Sequence, residues 1–358
     1  MPVSESVNAP VKALTTPTVS ILIAARNEEA SILACLRAVA QLNYPAHAVE
    51  VLIGNDGSTD QTGPLVTAFI ADKPSFQLMN ITESVSGLRG KANVLAQLAR
   101  QARGEWLFFT DADTQVPPDW IEEMLVGQQT GVGIITGVTL PGESTPGDAP
   151  PSVDSSEGGS VFHKLQTIDW LYSLTLTHWL SALGVPVTAM GNNMAVSRIA
   201  YEAVGGYENL PFSVTEDYAL FRAVVSKGYG FRNRLDERVL ATTRPVDTLN
   251  DWLEQRKRWM RGASELPIWL VTLLYAQYLT APLLLLIGWF LPTLAVSLYI
   301  GRLFVQTTVL SFGLARLRRT SLWLYALLFE PYQLLLGPVA VAWYWLSGPV
   351  VWKGRRFF

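Results

Sequence analysis

The stretch Gly104–Asp113, GEWLFFTDAD, joins a short apolar run to two carboxylates that are separated by a single residue. The run from Leu107 to Phe109 has the length and the aromatic content of a buried strand. Side chains at positions i and i+2 of a strand point to the same side, so extended geometry would place the carboxylates of Asp111 and Asp113 on one face. We therefore expect a buried strand that brings two negative charges to the edge of a sheet.

The acidic pair has two interpretations. A divalent cation that also contacts phosphate oxygens would offset the repulsion, because ions of the Mg²⁺ type usually take only one or two protein carboxylates together with phosphate and water. Alternatively, the pair marks the point where the strand leaves the core in a turn that an aspartate side chain stabilises. The surrounding sequence has to distinguish the two.

Predicted strands and helices alternate around this stretch. Residues 18–25, 49–54 and 76–81 have strand-like composition, and Gly90 begins a helical pattern that leads to Gly104. Such alternation predicts an α/β fold, with a mostly parallel sheet and helices on both faces, that binds ligands at the carboxyl ends of its strands. Polar clusters follow three predicted strands, at residues 26–28, 55–58 and 111–113. We expect one pocket to collect them, which favours the cation interpretation.

The composition divides the chain of 358 residues in two. It is 49% hydrophobic and 16% charged; residues 266–301 contain no charged residue, and residues 321–351 contain only Glu330. Each of these stretches is long enough for a membrane helix of roughly 20 residues. We expect three regions: a flexible N-terminus at 1–17, a catalytic domain at 18–262 and a transmembrane region at 263–358.

Two segments of the expected catalytic domain differ from the rest. Residues 141–160 are rich in Pro, Gly and Ser, which predicts a mobile insertion. Residues 161–183 are aromatic and amphipathic, which favours helices at a bilayer interface over helices that only cover the core. The net charge of −3 argues against nucleic acid as a partner.

Glu216 and Asp217 follow Thr215 at the expected start of a helix. Carboxylates at this position are favoured by the helix dipole, so the pair can be no more than a cap. The functional interpretation is that one of them is a general base, which takes the proton of an acceptor hydroxyl.

Gln255, Arg258 and Trp259 are spaced to share one surface of a helix. An arginine suits a diphosphate through its forked donors, and a tryptophan suits the face of a sugar or a lipid boundary. The alternative is a basic helix beside the membrane that binds anionic head groups. Both interpretations can hold for one helix.

Together these residues resemble the inverting glycosyltransferases of family 2, which have the Rossmann-like GT-A fold. The resemblance covers about residues 18–259, and its motifs occur in the order of the family. They are Ala25 to Glu29 (ARNEE), Asp56-Gly-Ser, Gly90-Lys91-Ala-Asn, Asp111-Ala-Asp113, Gly191-Asn-Asn193, Thr215-Glu-Asp217 and Gln255-x-x-Arg258-Trp259.

The resemblance implies donor-binding and acceptor-side residues, a metal ligand and a catalytic base. Donor binding would fall to Glu28, Asp56, Lys91, Asp111, Asp113, Gln255, Arg258 and Trp259, and the acceptor side to Asn193, Glu216 and Trp259. By the same resemblance, Asp113 would bind Mn²⁺ or Mg²⁺, and Asp217 would be the general base.

Within this family the chain is most similar to membrane-bound enzymes that glycosylate lipids, such as ceramide glucosyltransferases and the bacterial enzymes of hopanoid and carotenoid glycosylation. Its ending from Trp352 to Phe357, WKGRRF, is similar to their W-K-G-R motif. Processive synthases of cellulose, hyaluronan or poly-N-acetylglucosamine also carry Q-x-x-R-W. They usually have membrane helices before the catalytic domain, and we expect none here.

The expected reaction is the metal-dependent transfer of one sugar from a nucleotide diphosphate sugar, with a UDP-sugar as the expected donor, to a hydroxyl of a membrane lipid. Two alternatives stay open. One is a processive polysaccharide synthase, and the other is a non-catalytic membrane subunit that binds nucleotide sugar.

The topology follows from the same resemblance and from charge. We expect a multi-pass protein of the bacterial inner membrane whose catalytic domain faces the cytosol, where nucleotide sugars occur. Helices at about 268–290 and 292–312 would cross the membrane, and basic residues at 316–319 would return the chain to the cytosol. Pro331 and Pro338 interrupt the last apolar stretch, which predicts a broken or re-entrant hairpin that brings the C-terminus back.

Two charged residues lie inside apolar segments. Charges are costly in a bilayer and are commonly paired there, so we expect Arg302 and Glu330 to face each other or a polar cavity. The alternative is that one or both lie at the interface because the helices are shorter than expected.

Overall fold

The computed structural model describes residues 18–126, 130–142, 160–211, 213, 215–352 and 355–357. The expected flexible N-terminus and residues 143–159 of the expected insertion lie outside the described residues. So do Lys353 and Gly354 of the C-terminal motif.

The described residues form strands and helices in alternation, followed by a series of helices. The strands are β1 (Val19–Ala25), β2 (Val49–Asn55), β3 (Phe76–Asn80), β4 (Trp106–Asp111), β5 (Thr114–Gln115), β6 (Val132–Thr136), β7 (Val138–Pro141), β8 (Met194–Ser197), β9 (Gly230–Asn233), β10 (Leu240–Thr243), β11 (Val350–Trp352) and β12 (Arg355–Phe357). The α-helices are α1 (Ile32–Ala40), α2 (Thr62–Ile70), α3 (Gly90–Gln101), α4 (Trp120–Leu125), α5 (Val161–Ala182), α6 (Arg198–Ala203), α7 (Glu216–Ser226), α8 (Leu249–Ala263), α9 (Ile268–Tyr278), α10 (Thr280–Phe290), α11 (Pro292–Arg316) and α12 (Trp323–Leu346).

The main sheet has the strand order β3-β2-β1-β4-β8-β6-β9. Strands β3, β2, β1 and β4 are parallel, and β8 runs antiparallel to both of its neighbours. Ala25 pairs with Asn55 and Ala24 pairs with Asp111, so the carboxyl ends of β1, β2 and β4 lie side by side. The predicted α/β fold with a mostly parallel sheet is confirmed.

Apolar layers cover both faces of the central strands. Ile21 and Ile23 of β1 belong to the layer that contains Leu36 of α1, whereas Leu22 belongs to the layer that contains Leu98 of α3. A strand that is buried on both faces needs an apolar residue at nearly every position. This explains why β1 and β4 were predictable as continuous apolar runs.

The start of β4 is fixed by a group of buried polar contacts. The hydroxyl of Ser20 donates to the carboxylate of Glu50 at 2.6 Å and accepts from the backbone N–H of Gly104 at 2.8 Å. The Arg103 side chain donates to the same carboxylate at 2.9 Å. A Cβ atom on Gly104 would lie 2.5 Å from the backbone nitrogen of Ser20, so this position requires glycine.

Helix α5 connects the catalytic sheets to the C-terminal helices. Its Thr167 hydroxyl donates to the carbonyl of Pro141 at 2.7 Å. On another part of α5, Gly313 of α11 approaches so closely that a Cβ atom there would lie 2.5 Å from the hydroxyl of Thr175. Most of α5 from Gln166 onwards is buried against the rest of the protein, and the predicted contact of residues 161–183 with a bilayer interface stays a prediction.

The C-terminal helices differ from the prediction in where they break. Helices α9 and α10 meet at an angle of 77°, whereas α12 continues through Pro331 and Pro338. The prediction of a broken last segment was wrong, because the two prolines are accommodated in a helix that packing holds along its length. Among the described residues, the segments Pro292–Arg316 and Thr320–Leu346 are long and apolar enough to cross a membrane.

Candidate active site

Two loops at the carboxyl ends of β1 and β2 hold each other through polar groups. Asn27, at a φ of 52°, accepts a hydrogen bond from the backbone N–H of Thr59 at 2.9 Å. Its own backbone N–H donates to the hydroxyl of Ser58 at 3.1 Å. Glu29 accepts from the backbone N–H of Gln61 at 3.0 Å. These cross-links make a fixed rim, and asparagine suits the left-handed backbone position.

An open cleft of about 650 Å³ lies beside this rim. The residues that line it are Asn27 to Ser31, Thr59, Asp60, Asp113, Arg244 to Asp247 and Asp251. Most of the charged groups are acidic, and Arg244 is the one basic side chain among the described lining residues. The cleft therefore offers carboxylates and a single guanidinium to a ligand.

Lys91 lies at the start of α3 between two carboxylates. Its ammonium group is 2.6 Å from Asp111 at the end of β4 and 2.9 Å from Glu216 at the start of α7. Burial alone would lower the pKa of Lys91, but Asp111, Glu216 and Asp217 together hold that pKa above its ordinary value. Lys91 therefore remains charged and joins α3, β4 and α7.

The Asp217 carboxylate is held by two backbone N–H groups. Gly191 donates to one oxygen at 2.8 Å, and Tyr218 donates to the other at 2.8 Å. Burial, followed by the nearby charge of Glu216, raises the pKa of Asp217 to about 6, against the opposing effect of Lys91 and the two hydrogen bonds. The result is a fixed carboxylate that is more basic than an ordinary aspartate.

Two glycines bring the Asp217 helix into position. A Cβ atom on Gly191 would lie 2.7 Å from Cβ of Asp217 and 2.8 Å from its Oδ2 atom. A Cβ atom on Gly262, near the end of α8, would collide with the side chain of Thr215, which precedes α7. Both positions therefore exclude larger side chains, because each one touches the segment that carries the candidate base.

Trp259 on α8 is stacked between charged and aromatic neighbours. Its ring centroid is 4.9 Å from that of Trp170 in an edge-to-face arrangement, and the Arg256 guanidinium lies 4.4 Å from its centroid. Arg256 forms a buried ion pair with Asp169 of α5. The orientation of Trp259 thus depends on an ion pair between two helices.

The structure brings most of the predicted residues to one side of the sheet. Glu28 and Asp113 line the cleft. Lys91, Asp111, Glu216 and Asp217 form a separate cluster, which is not part of the cleft lining. Asp56 lies at the end of β2, where Arg26 donates to its backbone carbonyl. Gln255 and Arg258 are half-buried on α8.

Asn193 is placed differently from the prediction. It is fully buried, its amide oxygen accepts from Trp120, and its amide nitrogen donates to the carbonyls of Val138 and Val239. All of these contacts lie in the core, so its placement does not favour an acceptor contact. The residue of this motif that reaches the site is Gly191.

Sequence reasoning also missed Arg244 and the pair of Asp169 and Arg256. Arg244 follows β10, a short strand with no recognisable motif beyond its end. Asp169 lies in an aromatic helix, where it resembled an exposed polar position. A charged residue at the centre of an otherwise apolar helical stretch was the available signal for a buried pair.

The residues present fit a divalent cation that is bound mainly by a ligand. Among the described residues, no group of three or more His, Cys, Asp and Glu side chains is arranged to hold an ion. Asp111 is paired with Lys91, whereas Asp113 faces the cleft. A single carboxylate in a cleft suits an ion that completes its shell with phosphate oxygens and water.

Family models cover nearly all of the described structure. The model described as glycosyl transferase family 2 matches residues 20–180, and the one described as glycosyl transferase family group 2 matches residues 106–346. The chain belongs to glycosyltransferase family 2. This membership places the chain among the glycosyltransferases, and the sheet described above belongs to the GT-A fold of that family.

Relatives of this glycosyltransferase occur among bacterial proteins. It is 27% identical over 251 residues to the probable glycosyltransferase YdaM of Bacillus subtilis, and 26% identical over 252 residues to the poly-beta-1,6-N-acetyl-D-glucosamine synthase of Staphylococcus epidermidis. Each match covers 69% of this chain and 55% of the relative. The glycosyltransferase thus spans about half the length of the curated relatives that it matches.

A solved structure shares the fold. The mannosyltransferase PcManGT of Pyrobaculum calidifontis, in complex with GDP-Man and Mn²⁺, is 19% identical to this glycosyltransferase with a TM-score of 0.55. The superposition covers 94% of this chain and 89% of the other. At this identity the likeness supports the fold and no residue role.

Proposed function

We propose that this glycosyltransferase moves a single sugar, with inversion, from a nucleotide diphosphate sugar to a hydroxyl group of a membrane lipid, with Asp217 as the general base. One observation carries the proposal. The Asp217 carboxylate is fixed by the N–H groups of Gly191 and Tyr218, close to the cluster of Lys91, Asp111 and Glu216. This arrangement supplies a basic group and a cationic group in one place.

The proton of the acceptor hydroxyl goes to Asp217. With a pKa of about 6 the carboxyl group is mostly ionised at neutral pH, yet it accepts a proton more readily than an ordinary aspartate does. The hydroxyl oxygen attacks the anomeric carbon as its proton moves to Asp217. The bond between that carbon and the diphosphate breaks on the opposite side, so the nucleoside diphosphate leaves and the configuration is inverted. The two backbone hydrogen bonds keep the base in place during the transfer.

The donor occupies the cleft beside the rim. Glu28 and Asp56 face the nucleoside at the ends of β1 and β2, and a UDP-sugar is the donor that we propose. Arg244 faces the diphosphate, because a guanidinium is well suited to phosphate oxygens. A Mn²⁺ or Mg²⁺ ion, held by Asp113, would neutralise charge that develops on the leaving diphosphate.

The α8 residues close the site from the membrane side. The Gln255 side-chain oxygen is buried and has no hydrogen-bond donor within the part of the chain that the structure describes. A hydroxyl or amide group of a bound ligand would satisfy it. Trp259 offers its ring to the sugar or the lipid, and Arg258 extends the positive charge of the helix.

The acceptor that we propose is a lipid, because helices with a large apolar surface follow directly after α8, which carries Gln255 and Trp259. Exposed Leu, Ile, Val, Phe and Trp side chains cover α9, α10 and the first half of α11. Exposure of such a surface to water is unfavourable, whereas contact with the hydrocarbon core of a bilayer is favourable. Since nucleotide sugars are cytosolic, we place the catalytic domain on the cytosolic side of a bacterial inner membrane.

The second candidate is a processive polysaccharide synthase, and the similarity to poly-beta-1,6-N-acetyl-D-glucosamine synthase favours it. Incubation of purified protein with a panel of nucleotide sugars and a lipid extract, followed by mass spectrometry, separates the two. Lipid transfer predicts a product heavier by one sugar, and a synthase predicts a ladder.

The Asp217→Asn variant is the control for chemistry. We expect it to bind the nucleotide sugar but to lose transfer, because an amide cannot take the proton. Unchanged transfer would contradict the assigned base. Absence of transfer by the unaltered protein with every donor would favour a nucleotide-sugar-binding subunit without catalysis. Addition and removal of Mn²⁺ or Mg²⁺ in the same assay tests the metal.

A further inference from the structure

Helices α10 and α11 form a hairpin whose tip is apolar. The turn lies at Leu291, and residues 266–301 contain no charged side chain. Trp289 is 84% exposed and Phe290 is 71% exposed. Other large apolar side chains with exposed surfaces continue along both arms, at Leu283, Leu285, Leu286, Leu294, Val296, Leu298, Ile300, Phe304 and Val305. A surface of this extent requires an apolar environment.

One end of this hairpin contacts α12, and the other contacts the catalytic domain. Helix α10 begins beside Tyr278, whose carbonyl oxygen would lie 2.5 Å from a Cβ atom on Gly337 of α12. Helix α11 ends at Arg316, whose guanidinium donates to the backbone carbonyl of Leu235 at 3.0 Å. The start of α10 and the end of α11 are therefore both attached to other parts of the protein, and only the tip of the hairpin projects away from it.

Helix α12 is attached to the catalytic domain along its length. Near its start, Tyr325 is 3.3 Å from the ammonium group of Lys164; near its end, Trp343 donates to Glu254 at 2.9 Å. Between them, Gln333 donates to Asp169 at 3.1 Å. Tyr325 and Trp343 are about 27 Å apart along the helix. Because both are held by one catalytic domain, the two ends of α12 lie on the same side of a membrane.

The length of the hairpin matches one leaflet. Helix α10 has 11 residues, which corresponds to about 16 Å. The arm of α11 from Pro292 to the buried Gln306 corresponds to about 21 Å. The hydrocarbon core of a bilayer is about 30 Å thick, so one leaflet supplies about 15 Å. The tip therefore reaches the middle of the bilayer and falls short of the far surface.

Two hydroxyl groups and one charged side chain of α11 have partners within the protein. The Ser297 hydroxyl donates to the carbonyl of Thr293 at 2.9 Å, and the Thr308 hydroxyl donates to that of Phe304 at 2.8 Å. Arg302 of α11 pairs with Glu330 of α12, and it lies about 15 Å from the tip, at the depth of the leaflet surface. The contacts of Ser297 and Arg302 fit an arm that lies in lipid, whereas Thr308 lies beyond the arm.

We infer that the hairpin of α10 and α11 enters only the leaflet that faces the catalytic domain, and that neither α11 nor α12 crosses the membrane. This inference rests on the membrane association in the proposed function, but not on its chemistry. It replaces the multi-pass topology that the sequence predicted. It also implies that the lipid acceptor comes from the same leaflet as the one that the hairpin enters.

The test uses the full chain in vesicles of phosphatidylethanolamine and phosphatidylglycerol. The Leu291→Cys variant carries an environment-sensitive fluorophore at the tip, and the Leu285→Cys variant carries it on the arm. The native Cys35 is fully buried, so it should not react with the fluorophore. The unaltered chain, treated with the same reagent, is therefore the blank. We expect lipids that are brominated near the chain ends to quench the tip most, and lipids that are brominated near the head group to quench the arm most.

A membrane-impermeant maleimide supplies the second measurement, on unlabelled variants. Glu202→Cys, exposed on the catalytic domain, is the control that reacts from outside the vesicles. We expect Leu291→Cys to react neither with reagent outside nor with reagent trapped inside. Reaction from inside would show a full crossing and overturn the inference, while membrane binding and the proposed function would stand. Reaction from outside, or failure of the chain to bind vesicles, would overturn insertion itself.

Discussion

The backbone N–H of Gly191 donates to the carboxylate of Asp217 at 2.8 Å, and a methyl group on Gly191 would lie within 2.8 Å of that carboxylate. Closeness of this kind makes the glycine a positioning residue for the base. We expect Gly191→Ala to lower kcat for transfer roughly 100-fold, because a shift of the base by about 1 Å has effects of that size. Steady-state kinetics with the nucleotide sugar measure it.

The control for this variant is Gly301→Ala. Apart from its own helix backbone, no heavy atom of the described residues lies within 4 Å of a Cβ built on Gly301, and the residue is helical, so alanine is tolerated there. Normal kcat in Gly191→Ala would show that Asp217 is not the base or does not depend on this contact. Melting curves of both variants separate misfolding from displacement.

The pH dependence of transfer follows from the pKa of Asp217. A carboxyl group is protonated below its pKa and cannot accept the acceptor proton, so activity falls as the pH falls through about 6. The charge of Glu216 raises this pKa. We therefore expect Glu216→Gln to move the ascending limb of the kcat/KM profile to lower pH.

Glu202→Gln is the matched control for the pH profile, because the Glu202 carboxylate is exposed and pairs with Arg198 away from Asp217. Its profile should coincide with that of the unaltered enzyme. If the ascending limb of the kcat/KM profile does not move in Glu216→Gln, the group that titrates is not Asp217.

Loss of one member of the buried pair of Asp169 and Arg256 is expected to destabilise the fold and to disturb Trp259. Removal of one partner of a buried pair leaves the other charge uncompensated, so Asp169→Asn should lower the free energy of unfolding by about 3–5 kcal/mol. Thermal unfolding in detergent measures it. Asp72→Asn is the control, because Asp72 forms an exposed pair with Lys73 and should change stability little.

A double variant separates stability from positioning. Asp169→Leu with Arg256→Met replaces the pair by apolar side chains, which is often neutral or stabilising. We expect partial recovery of the melting temperature, because Gln333 loses the carboxylate to which it donates. We expect no recovery of kcat, because the guanidinium over the Trp259 ring is lost. If the melting temperature and kcat both recover, the pair acts only in stability and does not position Trp259.

Arg244 tests the position of the donor cleft. Loss of a guanidinium contact with phosphate weakens binding by about 1–2 kcal/mol, so Arg244→Ala should raise KM for the nucleotide sugar roughly 5- to 30-fold. Arg100→Ala is the control, because Arg100 pairs with Glu208 outside the cleft. Direct measurement of nucleoside diphosphate binding to both variants would check the result. If Arg244→Ala and Arg100→Ala bind it with equal affinity, the diphosphate does not contact Arg244.

The sequence was sufficient for features that repeat locally. The apolar pattern of β1 and β4 exists because both faces of these strands are buried, and the parallel register then brings their carboxyl ends together. The charge-free segments likewise identified the apolar helices. Such features depend on neighbours along the chain, which the sequence displays directly.

Other features depend on contacts between distant segments, which spacing does not contain. Asn193 and Gly191 stand in one motif, yet only the packing of the loop decides that the glycine meets Asp217. Asp169 and Arg256 form an ion pair although they are 87 residues apart in the sequence. Proline was expected to break α12, but contacts such as Gln333 with Asp169 hold that helix together.

The contacts of Gly104 with Ser20 and Glu50 act at the end of β4 that is remote from the chemistry. The strand between Gly104 and Asp111 is about 20 Å long, and a slip by one residue would exchange its two faces. Phe108 would then turn from one apolar layer to the other, and Asp111 would turn away from Lys91. These contacts therefore set the register of β4, and with it the position at which Asp111 and Asp113 leave the sheet.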